Sequence, residues 1–491
     1  MAPTEPRAQP EAQVVLTGED LTIAEVVRVA RDRVPVTLAT AAAGRIETAW
    51  AVAASSRAND RRVYGVSTGV GALKRMRVTA EEAAGFNHHL LRNHLVGQGP
   101  PAGQDVVRAA MLRLVNSFAK GTSCVRLATA QRYIDALNDQ DPPPVRSLGS
   151  VGVSDLAPMA DLAVGVVGDE PLMAGEALAL INNNSLSGGH AALAVADATR
   201  LLDTFDVAAA LSFEGFGANL EILHPAVAAS RRHPGTVSSV TRLRALLDGS
   251  ALWATEAARN LQDPLTFRCV PQVHGAARDA LEHVARTVTT ELNAAQTNPQ
   301  VVAGEQRIVS TGNFDSVVLS AAIDYLRIAL APVVTSGQER AVKLLQPPLS
   351  GLPYGLAAEP GIAEGGLSEF GVSIQSVAAE ARLLAQPVSS EGVSTTQAEG
   401  IEDRMTLAPL SARRLSELIG LAEIVLAIEL VIAAQAVELR QGGPLGAGTA
   451  AACALVRQAV AFQRRGEAVP DIAPALDLVR AGTLAALPTR Q

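Results

Sequence analysis

One stretch of the sequence, from Pro409 to Arg440, constrains the fold more than any other. Pro409 stands where proline is favoured in the first turn of a helix, and Gly442-Gly-Pro444 ends the helical pattern. Apolar residues occupy nearly every face of the helix between them. Such a helix must be enclosed by other helices. The sequence therefore predicts a core of long helices, which packs most readily in a bundle shared between subunits.

The amino-acid composition agrees with a helical fold. Hydrophobic residues make up 48% of the 491 residues, whereas aromatic residues make up only 3%. Sheets prefer aromatic and β-branched side chains, so this balance favours packed helices. Two more helical stretches cover residues 189–213 and 313–330, and the second should stop before Pro332. The predicted fold class is mainly α, in one very large or two to three packed domains.

Charge and cysteine content argue against several classes of protein. The net charge is −8 and there is no block of basic residues, which argues against binding to nucleic acid. The three cysteines, Cys124, Cys269 and Cys453, are widely spaced and form no CxxC pair. This pattern predicts reduced thiols in a cytoplasmic protein and no zinc site.

One apolar run, residues 418–437, is long enough to span a bilayer. Glu423 and Glu429 interrupt it, and carboxylates are rare inside membranes. The run is therefore interpreted as a buried helix of a soluble protein.

Six short motifs follow one another between residues 15 and 440. They are Tyr64-Gly-Val-Ser-Thr-Gly-Val-Gly71, Gly149-Ser-Val-Gly-Val-Ser-Asp-Leu-Ala-Pro158, Ala179-Leu-Ile-Asn182, Gln262-Asp-Pro-Leu-Thr-Phe-Arg-Cys-Val-Pro-Gln272, Thr311-Gly-Asn-Phe314 and Glu402-Asp403. Their order and separation resemble those of the histidine, phenylalanine and tyrosine ammonia-lyases and the related aminomutases. The resemblance implies a fumarase/aspartase-like fold, with a long central helical bundle shared in a homotetramer. It also implies active sites built from more than one subunit.

The motifs suggest a division of the chain into consecutive parts. Residues 1–14 are polar and proline-rich and are predicted to be disordered. An N-terminal domain over 15–188 would carry Tyr64 and a degenerate cofactor loop. A central helical bundle would occupy 189–440, and a C-terminal helical segment 441–491.

The second motif departs from the family at the point where the family forms its cofactor. In the family, an Ala-Ser-Gly tripeptide cyclises and loses water to give a methylidene-imidazolone, which is a strong electrophile. Here the loop reads Val153-Ser154-Asp155, one residue shorter and without the glycine. Ring closure folds the third amide nitrogen back onto the first carbonyl, which glycine tolerates and a β-carbon resists. We therefore expect an ordinary loop without the ring, in which Ser154 or Asp155 caps the next helix.

Three further positions differ from the family pattern. Leu265 replaces a tyrosine, Val70 a phenylalanine and Asp315 a histidine. These substitutions would be surprising in an ordinary ammonia-lyase. The sequence indicates no metal, flavin, nicotinamide or pyridoxal site, so no cofactor is expected.

Two residues match catalytic positions of the family. Tyr64 matches the tyrosine thought to remove the β-proton, and a phenol acts as a base only if its neighbours stabilise the phenolate. Glu402 matches a pocket glutamate that serves as acid, base or amine ligand. The alternatives are that Tyr64 only packs a loop and that Glu402 is a solvated carboxylate at a helix start.

Seven positions match the family's substrate pocket, and they are Asn93, His94, Asn182, Leu265, Arg268, Asn313 and Phe314. Arg268 matches the residue that holds the substrate carboxylate, since a guanidinium group binds a carboxylate through two parallel hydrogen bonds. The alternative for Arg268 is a structural salt bridge. Asn93-His94 falls where the family distinguishes its substrates and suggests a polar group at the far end of the ligand.

Three functions remain open at this point. The first is an enzyme that works without the ring, by elimination, addition, isomerisation or cyclisation of a small, amino-acid-derived carboxylate in specialised metabolism. Without an electrophile, that substrate needs a more acidic proton, a better leaving group or a reactive π-system. The second function is a residual ammonia-lyase or aminomutase, and the third is an inactive binding or partner subunit.

Overall fold

The computed structural model describes residues 13–59, 61–139, 141–359, 361–392 and 397–487. Helices dominate these residues, and the strands among them form three two-stranded sheets. The predicted mainly α fold class is confirmed.

Long helices carry most of the described chain. In chain order the α-helices are α1 (Ile23–Ala30), α2 (Thr40–Ala58), α3 (Ala80–Asn93), α4 (Gln104–Ala119), α5 (Leu127–Asp139), α6 (Leu156–Val167), α7 (Glu176–Ile181), α8 (Ser185–Phe216), α9 (Pro225–Ser230), α10 (Pro234–Leu246), α11 (Leu265–Arg268), α12 (Val270–Leu292), α13 (Val317–Leu344), α14 (Pro347–Ser350), α15 (Phe370–Leu384), α16 (Gln397–Gly400), α17 (Ala408–Arg440), α18 (Ala447–Ala459) and α19 (Ala473–Arg480). Shorter 3-10 turns include Gly71–Leu73, which follows the first motif. The stretch predicted as helical over residues 189–213 lies within α8.

The strands are short and pair close to the ends of helices. They are β1 (Val14–Leu16), β2 (Val36–Leu38), β3 (Gln98–Pro101), β4 (Arg146–Leu148), β5 (Gln300–Val302) and β6 (Arg307–Val309). β1 pairs with β2 in parallel, whereas β3 with β4 and β5 with β6 are antiparallel. The prediction of disorder up to residue 14 is wrong at its end. Val14 pairs with Val36 and is buried, because alternate apolar residues of β1 face inward; residues 1–12 lie outside the described residues.

α17 is the helix that the sequence analysis predicted from its apolar pattern. Residues 425–437 are all buried, as that pattern requires. Glu429 is buried too, and it accepts a hydrogen bond from Arg340 Nε at 2.7 Å. Glu423 forms ion pairs with two arginines at 3.0 and 3.1 Å. The carboxylates that interrupt the apolar run are therefore paired inside the protein, as buried charges must be.

Pro332 does not end its helix, so that prediction is wrong. α13 continues through it from Val317 to Leu344. A proline inside a helix removes the hydrogen bond to the carbonyl four residues earlier, here that of Ile328. Both residues lie on an exposed face, where water can satisfy that carbonyl. Among the described residues, α13 is long and apolar enough to cross a membrane, judged by length and composition only, and 56% of its most apolar stretch is buried.

The chain forms two compact units, each assembled from three stretches of sequence. Unit 1 contains Met1–Ala196, Ala285–Ala321 and Val388–Arg413. Unit 2 contains Asp197–Val284, Ala322–Pro387 and Arg414–Gln491. This division differs from the predicted succession of 15–188, 189–440 and 441–491. Single long helices such as α8, α12, α13 and α17 contribute residues to both units, which periodicity along the chain does not reveal.

Candidate functional site

A cavity of about 800 Å³ lies in unit 1. Loops at the ends of helices form its wall, which is where polar groups are most readily presented to a ligand. Six of the predicted site residues line it, namely Tyr64, His94, Val153, Asn182, Phe314 and Glu402. The structure therefore brings together residues from five of the six motifs and places them around one space.

The 150–155 loop, between β4 and α6, holds a sharply bent backbone at the cavity wall. Gly152 has a φ of 87°, and a β-carbon there would meet Thr406 and the backbone that follows it. Ser154 has a φ of 70°, which is uncommon for a residue other than glycine. Its hydroxyl donates a hydrogen bond to the side-chain oxygen of Asn182. A buried tertiary contact thus supports the left-handed backbone.

Asp155 is the residue at the N-cap position of α6, as expected, but its side chain does not cap that helix. The carboxylate is buried and accepts hydrogen bonds from the Ser187 amide at 2.8 Å and hydroxyl at 2.9 Å, in the first turn of α8. Its own amide donates to the Asn183 carbonyl at 2.8 Å. Burial raises the pKa of Asp155 to about 6, although these donors and the nearby Arg113 act in the opposite direction. The residue thus ties the start of α6 to the start of α8.

Three consecutive asparagines bind the backbone behind the cavity. The Asn182 amide group donates to the Asn298 carbonyl at 2.8 Å. Asn183 accepts from the Ser185 amide at 3.0 Å, and Asn184 donates to the Gly152 carbonyl at 2.8 Å. An asparagine side chain offers both donor and acceptor, so one residue type meets all of these demands.

Tyr64 presents its phenol to the cavity from the loop between α2 and α3. The hydroxyl oxygen accepts a hydrogen bond from the Gly71 amide at 2.9 Å. Burial raises the pKa of Tyr64 above its ordinary value, the Gly71 amide lowers it, and the negative charge of Glu402 raises it further. Tyr64 and Glu402 therefore interact electrostatically across the cavity.

His94 follows the last residue of α3 and also lines the cavity. Its Nδ1 lies 2.8 Å from the Leu90 carbonyl, which only accepts hydrogen bonds. Nδ1 must therefore carry a proton, which leaves Nε2 as the acceptor of the neutral ring. The preceding residue, Asn93, is exposed and does not line the cavity.

Three other predicted site residues lie away from this cavity in the single chain. Asn313 is exposed and donates to Gln300 at 3.4 Å. Leu265 and Arg268 belong to unit 2, where Leu265 is exposed and Arg268 donates to the side chain of Gln262. Arg268 therefore has a partner in its own unit and does not line the cavity of unit 1.

A model of the family described as aromatic amino acid lyase matches residues 21–175 and 170–458. The chain belongs to the aromatic amino acid lyase family. It is 34% identical to a histidine ammonia-lyase of Symbiobacterium thermophilum over 96% of this chain and 98% of that protein. The expected family is thus confirmed.

Two solved structures of the family are similar over almost the whole chain. One is the ergothioneine-degrading enzyme ergothionase of Treponema denticola, with a TM-score of 0.89 and 25% identity over 96% of this chain and 99% of that one. The other is a tyrosine aminomutase of Streptomyces globisporus, with a TM-score of 0.89 and 25% identity over 97% and 100% of the two chains. The fumarase/aspartase-like fold expected from the motifs is confirmed, in a family of lyases and aminomutases.

The sequence analysis did not assign roles to several charged or polar residues of the cavity wall, which are Lys74, Asn298, Asp315, Asp403 and Arg404. Asp315 and Arg404 form an ion pair, with Arg404 Nε donating at 2.5 Å. Asp315 attracted notice only because it replaces a family histidine. Nothing in the local sequence around Arg404 indicates that its partner lies 89 residues earlier.

The cavity wall does not resemble a metal site. In the described ranges, no group of three or more histidine, cysteine, aspartate or glutamate residues is arranged to hold a metal ion. The three cysteines are free thiols, and burial raises the pKa of Cys124 to about 12. The chemistry available in the cavity is therefore that of its phenol, imidazole, carboxylates, amides and cations.

Proposed function

We propose that the chain is an enzyme that eliminates an amine from a small, amino-acid-derived carboxylate without the family's methylidene-imidazolone. The observation that carries this proposal is the environment of Asp155. Ring closure would use the amide nitrogen of Asp155 and the carbonyl of Val153, with loss of the Ser154 hydroxyl. That amide is bonded to Asn183, and the Asp155 side chain is bonded to Ser187.

The residues present therefore fit the ring poorly. Closing it would break two good hydrogen bonds of Asp155 and the contact between Ser154 and Asn182. Each polar group left buried without a partner carries a free-energy penalty of about 1–3 kcal/mol. It would also force the β-carbon of Asp155 into a turn that the family builds with glycine. These points support a cavity that works with its own side chains.

The proposed chemistry is a base-promoted β-elimination. The Tyr64 phenolate takes the β-proton, the electrons of that C–H bond form the C=C bond, and the leaving amine departs with the electrons of the C–N bond. The Gly71 amide stabilises the phenolate, and His94 Nε2 can accept a hydrogen bond from the far end of the substrate. Glu402 faces Tyr64 and is placed to interact with the positively charged amine.

Without an electrophile, the leaving group decides which substrates react. Ammonia is a poor leaving group, whereas a trialkylammonium group leaves as a neutral tertiary amine. The similarity to an ergothioneine-degrading enzyme supports this choice, since ergothioneine is a trimethylammonium derivative of a histidine-like amino acid. We extend the proposal to amino acids whose α-nitrogen is fully alkylated, processed in specialised metabolism by a cytoplasmic homotetramer.

Intact mass spectrometry tests the absence of the ring. The purified chain should have the mass of the encoded sequence, after allowance for removal of the first methionine. A deficit of two water molecules, together with borohydride-sensitive absorbance near 310 nm (about that expected of such a conjugated ring), would contradict the proposal. The chain would then be better explained as a residual ammonia-lyase or aminomutase.

A substrate comparison tests the reaction itself. Histidine, its Nα-trimethyl betaine and ergothioneine are incubated with the enzyme, while product absorbance, ammonia and trimethylamine are measured. We expect an unsaturated product and trimethylamine from at least one trimethylated compound, and no ammonia from histidine. Ammonia released from histidine at the rate of an ordinary lyase would contradict the proposal. An absence of turnover that Tyr64→Phe leaves unchanged in binding assays would favour a binding subunit.

A further inference from the structure

Arg404 and Asp315 connect two loops at the edge of the cavity. Arg404 Nε donates to one oxygen of Asp315, and the other oxygen accepts from the Val317 amide at 3.0 Å, at the start of α13. Residue 315 is also bridged to Val153 in the 150–155 loop. Asp315 is thus held from two sides, and Arg404 joins a separate segment to this fixed point.

That segment, residues 397–407, adopts a backbone that its own residues do not favour. Ala398, Glu399 and Leu407 have φ values of 51°, 59° and 55°, in the left-handed region that favours glycine. Residues remain in such conformations only when surrounding contacts hold them there. The position of segment 397–407 therefore depends on its anchors.

The described contacts supply anchors at both ends of the segment. At one end, the Thr406 amide donates to the Val151 carbonyl at 3.0 Å. At the other end, Lys74 lies 3.9 Å from the carboxylate of Glu399. The ion pair to Asp315 acts between them, only two residues from Glu402. It is the charged contact nearest to Glu402 in sequence among those described above.

The position of Glu402 matters because of what it faces. Glu402 lies in the wall of the cavity that also contains the Tyr64 phenol, and its charge opposes ionisation of that phenol. A Coulomb interaction weakens with distance and with exposure to water. Movement of Glu402 away from the cavity would therefore weaken its effect on Tyr64.

We propose that the ion pair between Arg404 and Asp315 is a latch that holds Glu402 in the cavity opposite Tyr64. Both residues are positioning residues, because they act on the reacting groups through Glu402. The latch itself follows from the contacts of segment 397–407. Only its effect on reaction rate depends on the proposed elimination, so it can be tested without a substrate.

The charged and titratable groups around Tyr64 must be considered in the test. Those in the cavity wall are Lys74, His94, Asp315, Glu402, Asp403 and Arg404. Direct electrostatics predicts opposite results for the two partners. Loss of the Arg404 charge would raise the pKa of Tyr64, and loss of the Asp315 charge would lower it. The latch predicts that either loss lowers the pKa, because Glu402 is released in both cases.

The experiment is a spectrophotometric titration of Tyr64 in the full-length protein. Each variant is measured against its own Tyr64→Phe version, so that the difference isolates the Tyr64 phenolate from the other tyrosines. We expect Arg404→Gln and Asp315→Asn each to lower the pKa of Tyr64 by about half a pH unit. Asparagine at position 315 can still accept from the Val317 amide, so that variant keeps the start of α13.

Two additional variants make the test specific to Glu402. Glu402→Gln should lower the pKa of Tyr64 at least as much, and adding Arg404→Gln to it should change nothing further. Exchanging the charges, with Arg404→Asp and Asp315→Arg together, should restore the parent value. Arg307→Gln, which removes an exposed ion pair to Glu305 at 3.5 Å outside the cavity wall, serves as the control and should leave Tyr64 unchanged.

Thermal unfolding separates a latch from a general structural role. An exposed ion pair adds little to global stability, so the latch variants should unfold within about 2 °C of the parent. Shifts of opposite sign in Arg404→Gln and Asp315→Asn would overturn the proposal. So would an Arg404→Gln effect of equal size with and without Glu402, or no effect of either latch variant while Glu402→Gln shifts the titration.

Discussion

At the level of single residues, the protonation of Tyr64 depends on opposing influences from its surroundings. Burial and the charge of Glu402 disfavour the phenolate, whereas the Gly71 amide favours it. The net effect is a pKa above the ordinary value. A base of this kind is only partly ionised at neutral pH, and the reactive fraction grows as the pH rises.

The first prediction concerns the pH dependence of the reaction. Elimination should accelerate with increasing pH and reach a plateau only above the ordinary pKa of tyrosine, because only the phenolate accepts a proton. Tyr64→Phe should reduce kcat by about 10²- to 10⁴-fold, the usual contribution of a general base, and abolish the alkaline rise. Steady-state rates over the pH range measure both effects. A pH-independent rate that Tyr64→Phe preserves would exclude Tyr64 as the base.

The second prediction concerns Asp155. Burial raises its folded-state pKa to about 6, above an unfolded value of about 3.9, so the folded state binds more protons between these pH values. Its contribution to stability is fully present below the unfolded pKa and is lost as the pH rises through the folded pKa. A difference of about two pH units corresponds to about 3 kcal/mol.

Asp155→Asn, which stays neutral, should therefore lose less stability than the parent between about pH 4 and about pH 7, by about 2–3 kcal/mol. Urea unfolding of both proteins at the two pH values measures the difference. Equal changes in the two proteins would show that Asp155 does not titrate with a raised pKa.

At the level of secondary-structure elements, buried charges determine how α17 packs within unit 2. Its apolar faces lose contact with water, which supplies the general driving force for burial. Glu429 adds a specific demand, because its carboxylate must meet Arg340 of α13 and the hydroxyl of Ser212 at 2.9 Å. The pair selects one arrangement of helices among those that would bury the same apolar area.

The third prediction tests that pair. Glu429→Gln leaves the charge of Arg340 buried without compensation and should destabilise the protein by about 3–5 kcal/mol. Replacing both residues by methionine should recover most of that loss, since neither charge is then buried. Arg465→Gln, which removes an exposed ion pair at 3.1 Å, should cost less than about 1 kcal/mol and serves as the control. Urea unfolding distinguishes the three variants, and equal losses in all of them would contradict the argument.

At the level of the whole molecule, the positions of Arg268 and Tyr64 bear on assembly. Arg268 belongs to unit 2 and does not line the cavity of unit 1 that contains Tyr64. The resemblance to the ammonia-lyases implies active sites shared between subunits of a tetramer. We therefore expect Arg268 to serve a cavity in another copy of the chain.

The fourth prediction is complementation between inactive variants. Tyr64→Phe and Arg268→Gln proteins should each be nearly inactive alone. Mixed tetramers, formed by co-expression, should regain activity because some sites combine the intact Tyr64 of one subunit with the intact Arg268 of another. Activity of tagged, purified mixtures measures the effect, and native mass spectrometry checks their composition. Failure of correctly mixed tetramers to regain activity would indicate that both residues serve the same subunit's site.

Much of the site could be predicted because its residues stand in motifs. Tyr64, His94, Asn182 and Glu402 all line the cavity, as the resemblance implied. Arg404 was not predicted, because its interest arises from a partner distant in sequence. Asn93 follows the motif equally well, but it lies on the exposed side of the end of α3. A motif shows which residues are near one another along the chain and does not show which way each side chain points.

The sequence by itself determined the helical class, the family and the loss of glycine from the 150–155 loop. These properties depend on composition, on periodicity and on residues adjacent in the chain. The tertiary structure alone decided that α13 passes through Pro332, that Asp155 binds α8 instead of capping α6, and that Arg404 meets Asp315. Each of these depends on groups that are far apart in sequence or on exposure to solvent, and only the packed chain brings such groups together.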